Sequence, residues 1–186
     1  KIEFANQLAG TPHTITAEGN AVISTFKKVF GTGSLYGDGT GDVLHIPQHV
    51  DFNFGASDFT VECWVNFNSL DPDGSGFTTF LWNGSVSMQW LFDYKSSANE
   101  LRLIIKDDSS NLYFMDETWV PTTGTWYHLA GVRNGNNLMI FVDGVQLGTS
   151  EDVTGVTIDN ADVSRGLVVA ARETGIGTFN RYFNGH

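Results

Sequence analysis

Cysteine is almost missing from this sequence of 186 residues, which contains only Cys63. One cysteine excludes a disulfide within the chain, so a stable fold must rest on a packed core. Cys63 lies in the apolar run FTVECWVNF, where a small buried side chain is expected and a thiolate nucleophile is not. A chain of this length suits one domain with a substantial core, and we assign residues 1–186 to a single domain.

Positive charge is also scarce in the sequence. Lys and Arg total 10 against 21 Asp and Glu, which gives a formal net charge of −11. This balance opposes long-range attraction to nucleic-acid phosphates or to an anionic membrane surface. Neutral sugars and cations are compatible partners. The acidity is also explained by solubility alone, because surface charge keeps β-rich proteins from associating edge to edge.

Targeting and membrane signals are missing. No apolar run is long enough to cross a bilayer, and there is no basic targeting tract and no signal peptide. Membrane insertion is therefore not expected. Because the first residue is Lys1 and not Met, we expect a processed chain or a part of a larger polypeptide.

No segment of the sequence shows the period of an amphipathic helix. Among the residues that favour turns, Gly is frequent, with 21 residues, and Pro is scarce, with 4. In DFTVECWVNF the side chains alternate, so that Val61 and Val65 point to one side while Glu62 and Trp64 point to the other. This pattern predicts a core strand with one face that contacts solvent or lines a groove. Further strands are predicted at GDVLHIP, GFTTFLWN, VSMQWLFDY, ELRLIIKD, NLYFMDE, WYHLAGVR, LMIFVDG and RGLVVAAR.

Glycine-containing turns connect these strands. Asn134-Gly135 and Asp143-Gly144 are expected to supply positive φ in the two hairpin turns on either side of LMIFV. About ten antiparallel strands without helices predict an all-β fold, a two-sheet antiparallel jelly-roll sandwich.

Three stretches together resemble a known family: FGTGSLYGDGTGDVLHIP, DFTVECWVNF and TWYHLAGVRNGNNLMIFVDGVQLG. In this order they resemble the laminin-G-like members of the concanavalin A-like lectin/glucanase superfamily, of the type seen in phage and environmental viral or bacterial surface proteins. The resemblance covers roughly residues 11–186, and its most specific part is Trp126, His128, Ala130 and Arg133 followed by LMIFVDG. It implies two curved antiparallel sheets, and binding or adhesion instead of catalysis. The resemblance also implies calcium at a rim in many members, with glycans or proteins bound by loops there.

One turn has the composition of a calcium site. GDGTGD, Gly37–Asp42, brings together two aspartates and three glycines, which lets oxygens converge on a hard cation. The family resemblance implies a carboxylate at Asp38, and we predict calcium ligation by Asp38 and Asp42. A plain strand-linking turn is the alternative. The stretch DPDGSG begins like an EF-hand loop but has Trp82 where that loop needs a bidentate Glu, so a turn is expected there.

Catalytic groups are sparse. Glycosidases need two carboxyl groups about 5 to 9.5 Å apart, whereas the same-face neighbours of Glu62 are Trp64 and Asn66. The five histidines show no paired spacing for zinc, and His128 is expected to pack within a strand. A Gly-x-Ser-x-Gly elbow is missing as well. We therefore predict that the protein is not an enzyme, with a glycoside hydrolase as the less favoured alternative.

Aromatic residues are the remaining candidates for binding. Sugar rings present apolar C–H faces that stack on exposed indole or phenol rings. Each of these residues has the alternative role of filling the core of the sandwich. The predicted carbohydrate-binding residues are Trp82, Trp90, Tyr94, Tyr113 and Trp119.

These observations predict a noncatalytic carbohydrate-binding or adhesion module, with calcium as its candidate cofactor. Its expected partners are a glycan or a surface protein, and its expected location is extracellular, on a cell surface or on a virion. The alternative is a purely structural virion component, such as a capsid decoration or tail appendage, that contacts neighbouring subunits.

The end of the chain predicts an incomplete sheet. FNRYFNGH stops where members of the resembled family enter a closing strand, and the opening lacks their first apolar strand. A missing strand would leave backbone groups and apolar positions uncovered. We therefore expect that the polypeptide continues beyond His186 or that a neighbouring chain donates the strand. KIEFANQL at the start of the sequence is the third candidate to fill the gap.

Overall fold

The computed structural model describes residues 13–84, 88–158 and 166–186. The described elements are β-strands and one short 3₁₀ helix, Val50–Phe52. The strands are β1 Thr16–Glu18, β2 Val22–Ser24, β3 Ser34–Asp38, β4 Val43–Ile46, β5 Phe59–Ser69, β6 Thr78–Gly84, β7 Met88–Lys95, β8 Glu100–Lys106, β9 Leu112–Thr118, β10 Trp126–Asn134, β11 Asn137–Val142, β12 Val145–Asp152, β13 Gly166–Val169, β14 Arg172–Gly175, β15 Thr178–Asn180 and β16 Asn184–Gly185. No helix in these ranges has the length and apolar composition needed to cross a membrane.

The strands form two seven-stranded antiparallel sheets. Sheet A has the order β1-β4-β13-β6-β7-β8-β9, and sheet B has the order β12-β11-β10-β5-β16-β3-β2. The hairpin β14–β15 forms a third, two-stranded sheet. This architecture confirms the predicted all-β, two-sheet antiparallel jelly-roll sandwich.

All strands predicted from alternating side chains are present, but several short strands were not predicted. These are β1, β2, β3, β14, β15 and β16, which are two to five residues long. Such strands are too short to show a two-residue period. Sequence alternation therefore identified the longer strands and missed several short ones.

The two hairpin turns flanking β11 differ. Asp143 and Gly144 both take positive φ, 50° and 78°, as predicted for the β11–β12 turn. In the β10–β11 turn only Gly135 does so, with φ 59°. The expectation for Asn134 was wrong because Asn134 pairs with Asn137 as the last residue of β10.

The main core lies between the sheets. The inward side chains of β5, Val61, Val65 and Phe67, are buried, as the alternation of DFTVECWVNF predicts. Phe67 contacts Phe80 from sheet A edge to face, with ring centroids 5.8 Å apart. Burial raises the pKa of the Cys63 thiol to about 12, so this residue supplies no thiolate at neutral pH.

A second, smaller core lies on the outer side of sheet A. Its buried members are Val43, Trp82, Leu91, Ile104, Val168 and Ala171. Phe179 from β15 and the following Tyr182 pack against it. The centre of sheet A therefore carries apolar side chains on both faces.

A buried ion pair joins β7 and β8 on this outer side. Asp93 accepts two hydrogen bonds from the guanidinium of Arg102, from Nε at 2.8 Å and from Nη2 at 2.7 Å. The Asp93 side chain is fully buried. Burial raises the pKa of the Asp93 carboxyl, and the charge of Arg102 opposes that effect.

Strand β16 occupies only part of a position in sheet B. Gly185 pairs with Phe67 of β5 and with Gly37 of β3, and the backbones of His186 and Asn66 exchange two hydrogen bonds of 2.7 and 2.9 Å. From Val65 back to Phe59, β5 has no strand on this side among the described residues. Among the described residues, sheet B therefore has a gap beside β5. The missing strand itself stays a prediction, because KIEFANQL, one of the candidates to fill the gap, lies outside the described residues.

Candidate functional site

An aromatic and polar surface lies on the outer side of sheet B, where β5 and β10 pair. We name it the Trp64 face, formed by the outward side chains of Glu62, Trp64, Trp126 and His128. The pairing aligns His128 with Trp64 and Trp126 with Asn66, which places these side chains on one side of the sheet. Asn66 points to the same side but is buried. Trp64 keeps 40% of its surface exposed.

Two polar side chains, His128 and Glu62, lie beside the indole of Trp64. The His128 ring lies 5.3 Å from the Trp64 ring between centroids, and His128 Nε2 lies 3.4 Å from a carboxylate oxygen of Glu62. The Glu62 side chain is 60% exposed, so its carboxylate also reaches solvent. An apolar ring flanked by hydrogen-bonding groups suits the two kinds of surface on a sugar.

The segment between β2 and β3 borders this face. Phe30 meets Trp64 edge to face at 6.4 Å. Lys27 Nζ donates hydrogen bonds to the side-chain oxygens of Asn66, at 2.9 Å, and Asn68, at 3.2 Å. The Lys27 contacts fix the segment over β5 and give the Trp64 face a wall.

A cleft of about 520 Å³ opens beside Trp64. It follows the gap in sheet B and reaches the inner side of sheet A, where Phe80, Leu81 and Val169 line it. Glu62 is the one carboxylate that lines the cleft among the described residues. The cleft therefore offers apolar surface and a single acidic group.

Three of the predicted carbohydrate-binding residues are in the interior. Trp82, Trp90 and Tyr94 are 1%, 2% and 0% exposed, so no ring face is open to a ligand. Trp90 Nε1 donates to the Phe52 carbonyl at 3.2 Å, and the Tyr94 hydroxyl bonds to Asn99 at 3.0 Å. These three rings fill the cores on both sides of sheet A, and we remove them from the candidate site.

The other two predicted residues are partly buried and lie apart from the Trp64 face. The Tyr113 hydroxyl donates to Asp107 at 3.3 Å. Trp119 packs edge to face against Tyr94 and Tyr127, at 5.8 and 5.0 Å. A sugar-binding role for Tyr113 and Trp119 stays a prediction.

Sequence reasoning did not place Trp64, Trp126 or His128 in the binding site. The signal for Trp64 was present in the sequence, because Trp64 shares the polar side of a predicted strand with Glu62 and Asn66. A large aromatic ring on that side has to meet solvent or a neighbouring segment. The partners on β10 were not identifiable, since their position depends on the register between strands far apart in sequence.

The two predicted calcium ligands have different environments. Asp42 is buried, and its two oxygens accept the backbone N–H groups of Asn20 and Asp38, both at 2.8 Å. These bonds give Asp42 a role in shaping the turn and leave it poorly suited to a cation. Asp38 accepts two bonds from Thr40 at 2.8 Å, which lower the pKa of its carboxyl. Of the two, only Asp38 keeps oxygens near solvent.

A second group of potential metal ligands joins distant parts of the chain. Asp51 Oδ2 lies 3.0 Å from His13 Nε2 and 3.1 Å from His49 Nδ1, and the three ligand atoms lie within 4.8 Å of one another. Two imidazoles and a carboxylate are ligand types that zinc accepts. The sequence showed no paired histidine spacing because folding, not sequence proximity, brings His13 to His49.

A family model described as the concanavalin A-like lectin/glucanases superfamily, Laminin_G_3, matches residues 38–186. No curated protein sequence matches the chain.

Several solved structures share the fold. The binding domain of Paraclostridial Mosquitocidal Protein 1 aligns with a TM-score of 0.68 and 16% identity, over 87% of this chain and 40% of that one. The receptor binding domain of botulinum neurotoxin C/D mosaic serotype gives 0.64 and 12%, over 87% and 39%. Domain 4 of AbnA, a GH43 extracellular arabinanase from Geobacillus stearothermophilus solved with arabinotriose, gives 0.62 and 17%, over 94% and 78%. The chain thus spans about two fifths of these toxin binding domains. At these identities the similarity shows the fold alone.

Proposed function

The chain belongs to the Laminin_G_3 family of the concanavalin A-like lectin/glucanases superfamily, and from this premise we propose that it is a noncatalytic carbohydrate-binding or adhesion module of a secreted or surface protein. The Trp64 face is the proposed binding site. The observation that carries the proposal is the exposure of Trp64 on a strand interior, with the hydrogen-bonding groups of His128 and Glu62 beside its ring.

The solved structures support a binding role. Two of them are toxin binding domains, and the third is a domain of an arabinanase crystallised with an arabinose trisaccharide. All three are described as binding domains or as a ligand complex, and the arabinanase is described as extracellular. A secreted or surface location for this chain is proposed on that basis.

The single carboxylate among the described residues of the cleft supports the noncatalytic part of the proposal. Glu62 interacts with His128, and no second carboxylate lines the cleft among the described residues. Glycoside hydrolysis normally uses two. We expect no turnover on a panel of polysaccharides. Hydrolysis that disappears in Glu62→Gln would show that the domain is an enzyme.

Binding at the Trp64 face is tested with the Trp64→Ala variant. Stacking on an aromatic ring is worth about 0.5 to 1.5 kcal/mol beyond area burial, so we expect about tenfold weaker affinity for a neutral oligosaccharide. Calorimetric titration with arabinotriose and other neutral oligosaccharides measures this. Ile176→Ala is the control, because Ile176 is also exposed but lies in the β14–β15 hairpin. Equal affinity of both variants and the parent protein would place binding elsewhere.

Calcium remains a proposal that rests on Asp38. If calcium binds there, added calcium should raise the midpoint of thermal unfolding above its value in chelator, by mass action. Asp38→Ala should remove that difference. Coincident midpoints in the unmodified protein would exclude a calcium site at this turn under those conditions.

A protein contact is the second candidate function. The edges of β3 and β5 that face the gap in sheet B are unpaired among the described residues, and the cleft between them is largely apolar. Such edges accept peptide strands. Neighbouring subunits of a virion or another surface assembly are therefore the alternative partners, and they are favoured if no glycan binds.

A further inference from the structure

A cavity of about 450 Å³ lies on the outer side of sheet A, across the sandwich from the Trp64 face. We name it the arginine cavity. Four cations line it, although the whole chain has only ten Lys and Arg. They are Arg102, Lys106, Arg172 and Arg181. The arginine cavity is therefore lined by positive charge in a protein whose net charge is −11.

The carboxylates near this cavity do not balance the arginines. Asp93 is already held by both nitrogens of Arg102 that face it, and Arg181 Nη1 reaches the same carboxylate only at 3.6 Å. Asp116 lies opposite Arg102 in the β8–β9 register. Lys106 is buried and has an interaction partner. The charge of Arg172 also acts on Asp93, so this one buried carboxylate is shared by three guanidinium groups, with Asp73 as a further carboxylate near Arg181.

Arg172 has a nitrogen without a hydrogen-bond partner among the described residues. Its Nε is buried and makes no hydrogen bond there. Burial, and next the positive charge of Arg172, lower the pKa of Arg181 to about 10. The two guanidinium groups therefore repel each other across a partly desolvated space, and an anion between them would relieve that repulsion.

The other lining groups suit a sugar ring. Phe114 and Leu112 are 45% and 47% exposed on the floor of the arginine cavity. The guanidinium groups of Arg102 and Arg181 lie over the ring of Phe77, at 4.8 and 3.7 Å from its centroid. Stacking holds the two arginines in place, so that less side-chain entropy is lost on binding.

We propose that the arginine cavity binds the carboxylate of an acidic sugar residue, such as a uronic acid within a polysaccharide. Arg172 and Arg181 hold the carboxylate, since a guanidinium fork matches its two oxygens. Phe114 packs against the ring. This inference rests on the proposed carbohydrate-binding function and adds the chemical class of the ligand and a second site.

Titration with a trigalacturonide and with a neutral trisaccharide tests the proposal. Hydrogen bonds to charged groups contribute about 1.5–3 kcal/mol, so Arg172→Ala should bind the trigalacturonide at least about tenfold more weakly. Arg172→Lys should have an affinity between those of the parent protein and Arg172→Ala, because an ammonium keeps the charge but lacks the two parallel N–H donors of a guanidinium. Lys95→Ala is the control, since Lys95 pairs with Glu100 outside both the cavity and the Trp64 face, and it should change the affinity little.

Equal losses in Arg172→Ala and Lys95→Ala would overturn the proposal, because only general electrostatics would remain. Binding of neutral sugars at the Trp64 face without binding of the trigalacturonide would overturn it and leave the proposed function intact. If no sugar of either kind binds, the proposed function fails and the acidic-sugar assignment fails with it. Inorganic sulfate then tests the anion site alone. A rise in the unfolding midpoint that is lost in Arg172→Ala supports the site, and no rise excludes it.

Discussion

Replacing Arg102 by alanine is expected to lower the free energy of unfolding by about 3–5 kcal/mol at pH 7. The substitution removes both hydrogen bonds to Asp93 and leaves a buried carboxylate, with Arg181 at 3.6 Å and the charge of Arg172 as weaker compensation. Urea unfolding at pH 7 measures the loss. The matched control is Lys95→Ala, which breaks the partly exposed Lys95–Glu100 pair on the same two strands and should cost about 1 kcal/mol or less.

The loss in Arg102→Ala should depend on pH. Burial already raises the pKa of Asp93, and without Arg102 this pKa rises further. A folded-state pKa above the unfolded value means that the folded protein binds the extra proton, so its stability falls as pH rises through this range. We therefore expect the defect to be largest at neutral pH and to shrink on acidification. A loss that is independent of pH, or no larger than that of Lys95→Ala, would contradict this account of the pair.

Adding a six-residue strand after His186 is expected to stabilise the domain by about 2 kcal/mol, a rise of roughly 4–8 °C in Tm for a chain of this size. Apolar side chains at the first, third and fifth added positions would lie opposite Val65, Cys63 and Val61 and point into the cleft, because His186 pairs with Asn66. Burial of these side chains and pairing with both β3 and β5 offset the entropy of ordering the added segment.

Two control extensions make this test specific. A Gly-Ser extension of equal length should leave Tm unchanged, because it buries nothing. Insertion of one residue before the apolar pattern should abolish the gain, since a one-residue slip turns every side chain to the other face of the sheet. Equal stabilisation by all three extensions would show that the gap in sheet B does not accept a strand.

The sequence predicted the fold well because its central strands carry their own signal. In β5 the alternation of Val61 and Val65 with Glu62 and Trp64 identified both the strand and its buried side. The same alternation could not identify the binding rings. Trp82 and Trp90 both lie in predicted strands, but their exposure depends on what covers each face of sheet A.

Covering segments decide that exposure, and they come from distant parts of the chain. Trp82 is hidden by the second core, to which Phe179 and Tyr182 contribute, and these residues lie far along the sequence in a region where no strand was predicted. The arginine cavity likewise depends on Arg172 and Arg181 meeting β8. Such groupings follow from tertiary register and not from local pattern, so a single sequence did not reveal them.

The central claim is that the domain binds carbohydrate through the Trp64 face, and a glycan array probed with the parent protein and Trp64→Ala tests it most directly. Thermal unfolding first establishes that the variant is folded. We predict that the parent protein binds a defined set of glycans and that Trp64→Ala loses the neutral members of this set. An array on which the parent protein binds nothing, or on which both proteins bind the same glycans with equal intensity, would contradict the claim.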